Sequence, residues 1–330
     1  MIRTLLLTLL LLSLDQVALH AMGDSLHMHL LLPRNEKGID DPMPQGNFDV
    51  LAIPLKRVQN LYLIEARADS VKGNFILDTG APRLVLNKTY FTTGRPAPGS
   101  SQFGITGGAN SVLNTTIDSL VISDLFYTRV DADIVNLGHL ENARGVRILG
   151  LLGSSLFNNM EMELDLKNDL LYVYKIDAEG NRIAAADQSN PDLELDLQIY
   201  NDILLVDGKI GNKKLRFCLD TGAEKNVLSD AVSNKVLSHF TLTKSGSLTG
   251  SGGSGTLVLN GVVDSLIIGT RSFEQMPFLL TNLSYLELVY GTSLSGILGY
   301  DFFAQGKVII NVRKQKLSMY FYKPDTNETD

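Results

Sequence analysis

The chain has little with which to build a metal or disulfide framework: of 330 residues one is cysteine, Cys218, five are histidine and none is tryptophan. A single thiol excludes an intramolecular disulfide and any Cys-rich zinc cluster. Lying inside the apolar stretch "FCL", it reads as a small packed hydrophobe. Basic runs are missing as well. The 29 Lys and Arg against 36 Asp and Glu give a net charge of −7 and a pI near 5.3, which argues against the positive stripe of a nucleic-acid binder. No uninterrupted apolar run reaches the roughly 20 residues of a membrane span. Leu5 to Leu12, broken only by Thr8, follows Arg3 and precedes the small residues between Ala18 and Gly23. Residues 1–23 therefore read as a secretory signal peptide, with a short membrane anchor as the competing reading. The mature protein is expected to be secreted or periplasmic, with no stable span after signal removal.

What the chain does have is a duplicated pattern. With 44% hydrophobic residues it can bury a large core, and its length favours two domains. "FILDTGAPRLVL" from Phe75 returns as "FCLDTGAEKNVL" from Phe217, identical at eight of twelve positions. Two further anchors follow in the same order: "DSLVI" at Asp118 with "DSLII" at Asp264, and "GLLGSSLF" at Gly150 with "GILGYDFF" at Gly296. The first pair is 142 residues apart and the other two 146, so the second copy carries four extra residues between its first and second anchors. Three collinear matches imply a duplicated domain.

Both copies read as all-β. Before each Asp-Thr-Gly stands a strand pair with Gly or Asn turn signals, and each copy closes on two short strands, "MELDL" with "LLYVY" and "KVIINV" with "KLSMYFY". Helix is confined to three candidates, "GSSLFNNM", "YDFFAQ" and "LSDAVSNKVLSHF". The expected organisation is a leader or propeptide over 24–46, a first lobe over 47–175, a polar linker over 176–194, a second lobe over 195–324 and a tail over 325–330.

A carboxylate ending a buried apolar strand is costly unless hydrogen bonds stabilise its charge or it keeps its proton. If the copies pack about a pseudo-twofold axis, Asp78 and Asp220 meet, and two carboxyls at contact cannot both ionise. Such a pair can activate a water with one group and protonate a substrate carbonyl with the other. No Gly-x-Ser-x-Gly elbow offers a serine alternative.

The doubled Asp-Thr-Gly-Ala element, the Gly-rich segment after it and the closing apolar-apolar-Gly motif resemble the retropepsin-like and pepsin-like aspartic proteases, over nearly all of residues 48–323. The resemblance implies two pseudo-twofold-related acid-protease β-barrel lobes in one chain. It makes Asp78 and Asp220 the catalytic pair, with Thr79 and Thr221 tying the loops together and Gly80 and Gly222 shaping the turns. Leu151, Leu152 and Gly153, like Ile297, Leu298 and Gly299, match the motif beneath each loop. The Gly-rich segments fall where flaps are expected, with Ile105, Thr106, Gly107 and Gly108 in one and Leu248, Thr249 and Gly250 in the other as substrate-binding candidates. Two flaps, neither with a tyrosine, are similar to a retroviral dimer fused into one polypeptide.

The implied activity is that of an exported aspartic endopeptidase acting on peptides or proteins, without metal or other cofactor and as a monomer. A non-catalytic peptide-binding or scaffold protein keeping the fold is the alternative. Pepsin-like enzymes often place Ser or Thr after Asp-Thr-Gly; Ala81 and Ala223 stand there in this chain. A carboxylate deprived of that hydrogen bond has a raised pKa, so activity is expected at mildly acidic to near-neutral pH.

Overall fold

The computed structural model of the chain describes residues 41–96, 113–184, 189–249 and 255–323. The first sequence copy forms a closed barrel. Leu61–Ala68 alternates, with Ile64, Ala66 and Ala68 buried and Glu65 and Arg67 exposed. That pattern seats one face of the strand in the core. It pairs antiparallel with Val71–Leu77, which runs parallel to Ile148–Leu152. Ile148–Leu152 is antiparallel to Leu84–Asn87, which runs parallel to Leu125–Val135. Leu113–Ile122 pairs antiparallel with Leu125–Val135 and returns to Leu61–Ala68 through Arg67 opposite Val121, closing six strands.

The second copy repeats the circuit. Ile203–Ile210, Lys213–Leu219, Gly296–Leu298, Val227–Ser229, Arg271–Thr281 and Gly255–Ile268 follow in that order, and Gly208 opposite Ile268 closes the ring. Full closure removes exposed sheet edges and encloses a core around Phe75, Tyr127 and Leu152 in one lobe and Phe217, Phe278 and Leu298 in the other.

The strands that close each copy do more than end it. They leave the barrels and join in one six-stranded sheet, ordered Val50–Pro54, Leu170–Lys175, Met160–Asp165, Gly306–Asn311, Lys316–Phe321 and Leu193–Asp196. Its central pairing, Met162 opposite Ile310, joins the two copies edge to edge. Alternation along each strand announces a strand but not its partner, so this shared sheet was not legible.

Helix is scarce, as expected, but differently placed. Of the candidates, "GSSLFNNM" holds only the 3-10 turn Ser154–Leu156, and "YDFFAQ" holds Tyr300–Phe303. "LSDAVSNKVLSHF" narrows to Asn234–Leu237, because Leu228 belongs to the strand Val227–Ser229. Two helices were not anticipated, Gly138–Arg144 and Ser284–Tyr290. Each spans seven residues and has no side-chain cap at its start, so neither periodicity nor capping signalled it. Among the described residues no helix is long and apolar enough to cross a membrane.

Candidate active site between the lobes

The two Asp-Thr-Gly loops meet at the junction of the barrels. Each aspartate follows a buried strand, Val71–Leu77 or Lys213–Leu219. Its backbone N–H donates to the partner strand: Asp78 N to Leu152 O and Asp220 N to Leu298 O, both at 3.0 Å. The apolar-apolar-Gly motif thus fixes where each strand stops and its carboxyl begins.

The threonines lock the loops to one another. Thr79 N–H donates to Thr221 Oγ1 at 3.0 Å, and Thr221 N–H donates to Thr79 Oγ1 at 3.0 Å. Each hydroxyl then donates onward across the boundary, Thr79 Oγ1 to Leu219 O at 3.0 Å and Thr221 Oγ1 to Leu77 O at 2.9 Å. Both side chains are buried, so four hydrogen bonds in a dry setting hold one lobe's loop to the other's strand.

Glycine at 80 and 222 is demanded by contact. A Cβ on Gly80 would lie 2.6 Å from the Asp220 carboxyl carbon, and one on Gly222 would lie 2.6 Å from that of Asp78. Each loop therefore packs its backbone against the other lobe's carboxyl. Gly80→Ala or Gly222→Ala should lower stability by about 1–3 kcal/mol through overpacking, read as a drop in Tm. A wild-type Tm for both variants would contradict this packing.

Asp78 and Asp220 are both fully buried. Gly222 N–H donates to Asp220 Oδ1 at 2.8 Å, but no protein donor reaches Asp220 Oδ2 or either oxygen of Asp78. Burial pushes the Asp78 carboxyl well above the usual carboxylate range, and the facing Asp220 charge pushes it further. Burial likewise raises Asp220, to about 6, against the pull of Asp78 and of nearby N–H groups. Asp78 and the Oδ2 of Asp220, acceptor-only when ionised, can satisfy one another by sharing a proton.

Residues 206–302 match the family model described as aspartyl protease. The crystal structure of an aspartic proteinase from Irpex lacteus superposes at a TM-score of 0.50 and 12% identity, covering 85% of this chain and 100% of that one. The chain has the two-lobed acid-protease fold. No curated protein matches it in sequence.

Ala81 and Ala223 are buried beside the aspartates and bring no hydroxyl to them. Ile105, Thr106, Gly107, Gly108 and Gly250 lie outside the described residues. Leu248 and Thr249 end the strand Phe240–Thr249, which pairs antiparallel with Gly255–Ile268. Among the described residues no cluster of His, Cys, Asp and Glu is arranged to hold a metal.

Sequence reasoning missed the helix-end residues at this junction. Arg144 Nη2 donates to Glu224 Oε1 at 2.9 Å, and Tyr290 Oη donates to Gly80 O at 3.2 Å. A signal was present: "NLGHLENARG" from Asn136 and "NLSYLELVYG" from Asn282 share Asn, Leu, Leu, Glu and Gly at the same 146-residue offset.

Proposed function

We propose that the chain is an exported aspartic endopeptidase in which Asp78 and Asp220 share one proton and activate water against a peptide carbonyl. The observation that carries this reading is the buried carboxyl pair, each member packed on the other lobe's glycine and Asp78 lacking any protein donor. The acid-protease fold and the family match over the second lobe support it.

The surroundings assign the roles. Asp220 has the Gly222 N–H to stabilise its charge, so it is the general base that takes the proton of the attacking water. Asp78, with no donor, retains the shared proton and gives it to the carbonyl oxygen of the substrate. The proton from water then resides on Asp220 and passes to the leaving amine as the C–N bond breaks, while the proton lent to the carbonyl oxygen returns to Asp78 as the C=O bond re-forms. One proton is held throughout, with no metal and no covalent intermediate. Export rests on the N-terminal segment, residues 1–23, read as a signal peptide.

The test is cleavage of a diverse peptide mixture by the residue 24–330 protein across pH 3–8. With both carboxyls raised, the singly protonated pair persists to higher pH than in a pair of ordinary acidity, so the optimum should be mildly acidic to near-neutral. Activity still rising at the pH 3 end of the range would defeat the pH argument, and no cleavage by a folded sample at any pH would defeat the enzymatic reading.

A further inference from the structure

The helices Gly138–Arg144 and Ser284–Tyr290 occupy equivalent places in the two copies, and each ends on a left-handed glycine, Gly145 at φ 61° and Gly291 at φ 68°. Their last residues leave their own lobe. The Arg144 side chain, 1% exposed, pairs with Glu224, four residues beyond Asp220 in the opposite lobe. Buried Tyr290 reaches back to Gly80, two residues beyond Asp78. The contacts use different chemistry, an ion pair on one side and a hydroxyl on a carbonyl on the other. The arrangement is nevertheless the same: a helix from each lobe ends on the aspartate loop of the other.

Side-chain amides steady both crossings. Asn60 Nδ2 donates to Glu224 O at 3.2 Å, and Asn201 Nδ2 donates to Tyr290 O at 3.0 Å. Asn60 reaches Glu224 from the opposite lobe, whereas Asn201 belongs to the same lobe as Tyr290 and holds the helix end from which the tyrosine crosses.

We propose that Arg144 and Tyr290 are positioning residues, which act through Glu224 and the Gly80 carbonyl to orient the backbone around each carboxyl of the pair. The inference rests on the endopeptidase reading for its kinetic consequences. A trans peptide is planar, with its C=O and the following N–H pointing opposite ways. Holding Gly80 O on Tyr290 therefore directs Ala81 N–H back into the Asp78 turn, where it donates to Asp78 O at 3.2 Å. From there the Gly80 and Ala81 N–H groups act on the Asp78 carboxyl as nearby dipoles, partly opposing burial. The titratable group acting on Asp78 is Asp220 from the facing loop; the Cys218 thiol on the strand Lys213–Leu219 is itself pushed up by burial and by both aspartates. Without the tyrosine hydroxyl the Gly80 peptide plane can rotate, the dipoles turn away, and Asp78 holds its proton to higher pH.

The experiment compares Tyr290→Phe, Arg144→Gln and Arg144→Lys with the wild type in the residue 24–330 protein. Tyr290→Phe should lower kcat roughly ten- to a hundredfold with KM nearly unchanged, the signature of lost transition-state geometry, and move the carboxyl titration upward. That titration is also read without substrate, as the pH dependence of Tm, so it survives even if the wild type cleaves nothing. Arg144→Lys should retain more kcat than Arg144→Gln, since it keeps a cation for Glu224. Wild-type kcat and titration in folded Tyr290→Phe would overturn the proposal. If that variant does not fold, Asn201→Ala, which loosens the same helix end, must show the upward titration in milder form; an unchanged midpoint there would overturn it equally.

Discussion

Asp78→Asn or Asp220→Asn should reduce peptide cleavage roughly a thousandfold or more, and should at the same time make the protein more stable at neutral pH. The first effect follows from the division of labour: an amide at 220 cannot accept the proton of water, and an amide at 78 cannot supply one to the carbonyl. The second follows from linkage. An unfolded aspartate titrates near 3.9, whereas burial raises Asp220 to about 6 and Asp78 well above its ordinary value. Between those pH values the folded state binds more protons than the unfolded one. The contribution is therefore most favourable below about pH 4 and is lost as pH rises through the folded values.

For Asp220 alone, a rise of about two units corresponds to on the order of 3 kcal/mol withheld from the folded state at pH 8. Asparagine carries no charge to desolvate, so the variants should melt higher than the wild type at pH 8 and nearly level with it at pH 4. Thermal melts across that range check the stability half, and the peptide assay checks the catalytic half. Full cleavage by either variant would remove the two-carboxyl mechanism. A wild type whose Tm is flat from pH 4 to 8 would contradict the burial of an ionisable pair.

The coincidence of the two effects in one substitution is what separates a functional site from a structural one. A buried group retained for stability alone should destabilise when replaced. Here two carboxyls are kept at a place where the fold would be more stable without their charge.

Asp78 and Asp220 were legible because an ionisable residue inside an apolar strand is expensive, and the chain carries that expense twice at equivalent places. The barrels were legible from the alternation in segments such as Leu61–Ala68 and from the three collinear anchors. The pairing of Met160–Asp165 with Gly306–Asn311 was not, because β-alternation has no memory of its partner across 150 residues. The helix Gly138–Arg144 escaped for another reason. Seven residues make about two turns, too few for an apolar stripe to repeat, and the element is held by contacts made elsewhere. Glu141 accepts from Tyr90 Oη at 2.6 Å and from Ile148 N–H at 2.8 Å, and Glu287 accepts from Leu294 N–H at 2.9 Å in the second copy. These are tertiary bonds, and local sequence does not display them.

The largest stability loss should come from a residue far from the carboxyl pair, Arg182 in the segment joining the lobes. Its guanidinium lies over the six-stranded sheet, pairing through Nε with Glu161 and through Nη2 with Glu163 at 3.0 Å, and it sits 3.5 Å above the Tyr174 ring. Glu161 and Glu163 are both buried on the strand Met160–Asp165; Glu161 also accepts from Asn311 Nδ2 at 2.6 Å, and Glu163 also takes Lys307 Nζ at 3.0 Å from the other copy and Tyr174 Oη at 3.1 Å. Arg182 thus pairs with Glu161 and shares Glu163 with Lys307 at the seam where the copies join. Removing one member of a buried ion pair leaves the other desolvated without compensation, which typically costs about 3–5 kcal/mol. Arg182→Met keeps the aliphatic bulk over Tyr174 while removing the charge, so it isolates that cost from lost packing. It should lower Tm by several degrees or more, and the added substitution Glu161→Gln should recover part of the loss by deleting one stranded charge. Equal melting of Arg182→Met and the wild type would mean that Lys307, Tyr174 and Asn311 satisfy both glutamates without it, and that the joining segment crosses the sheet without clamping it.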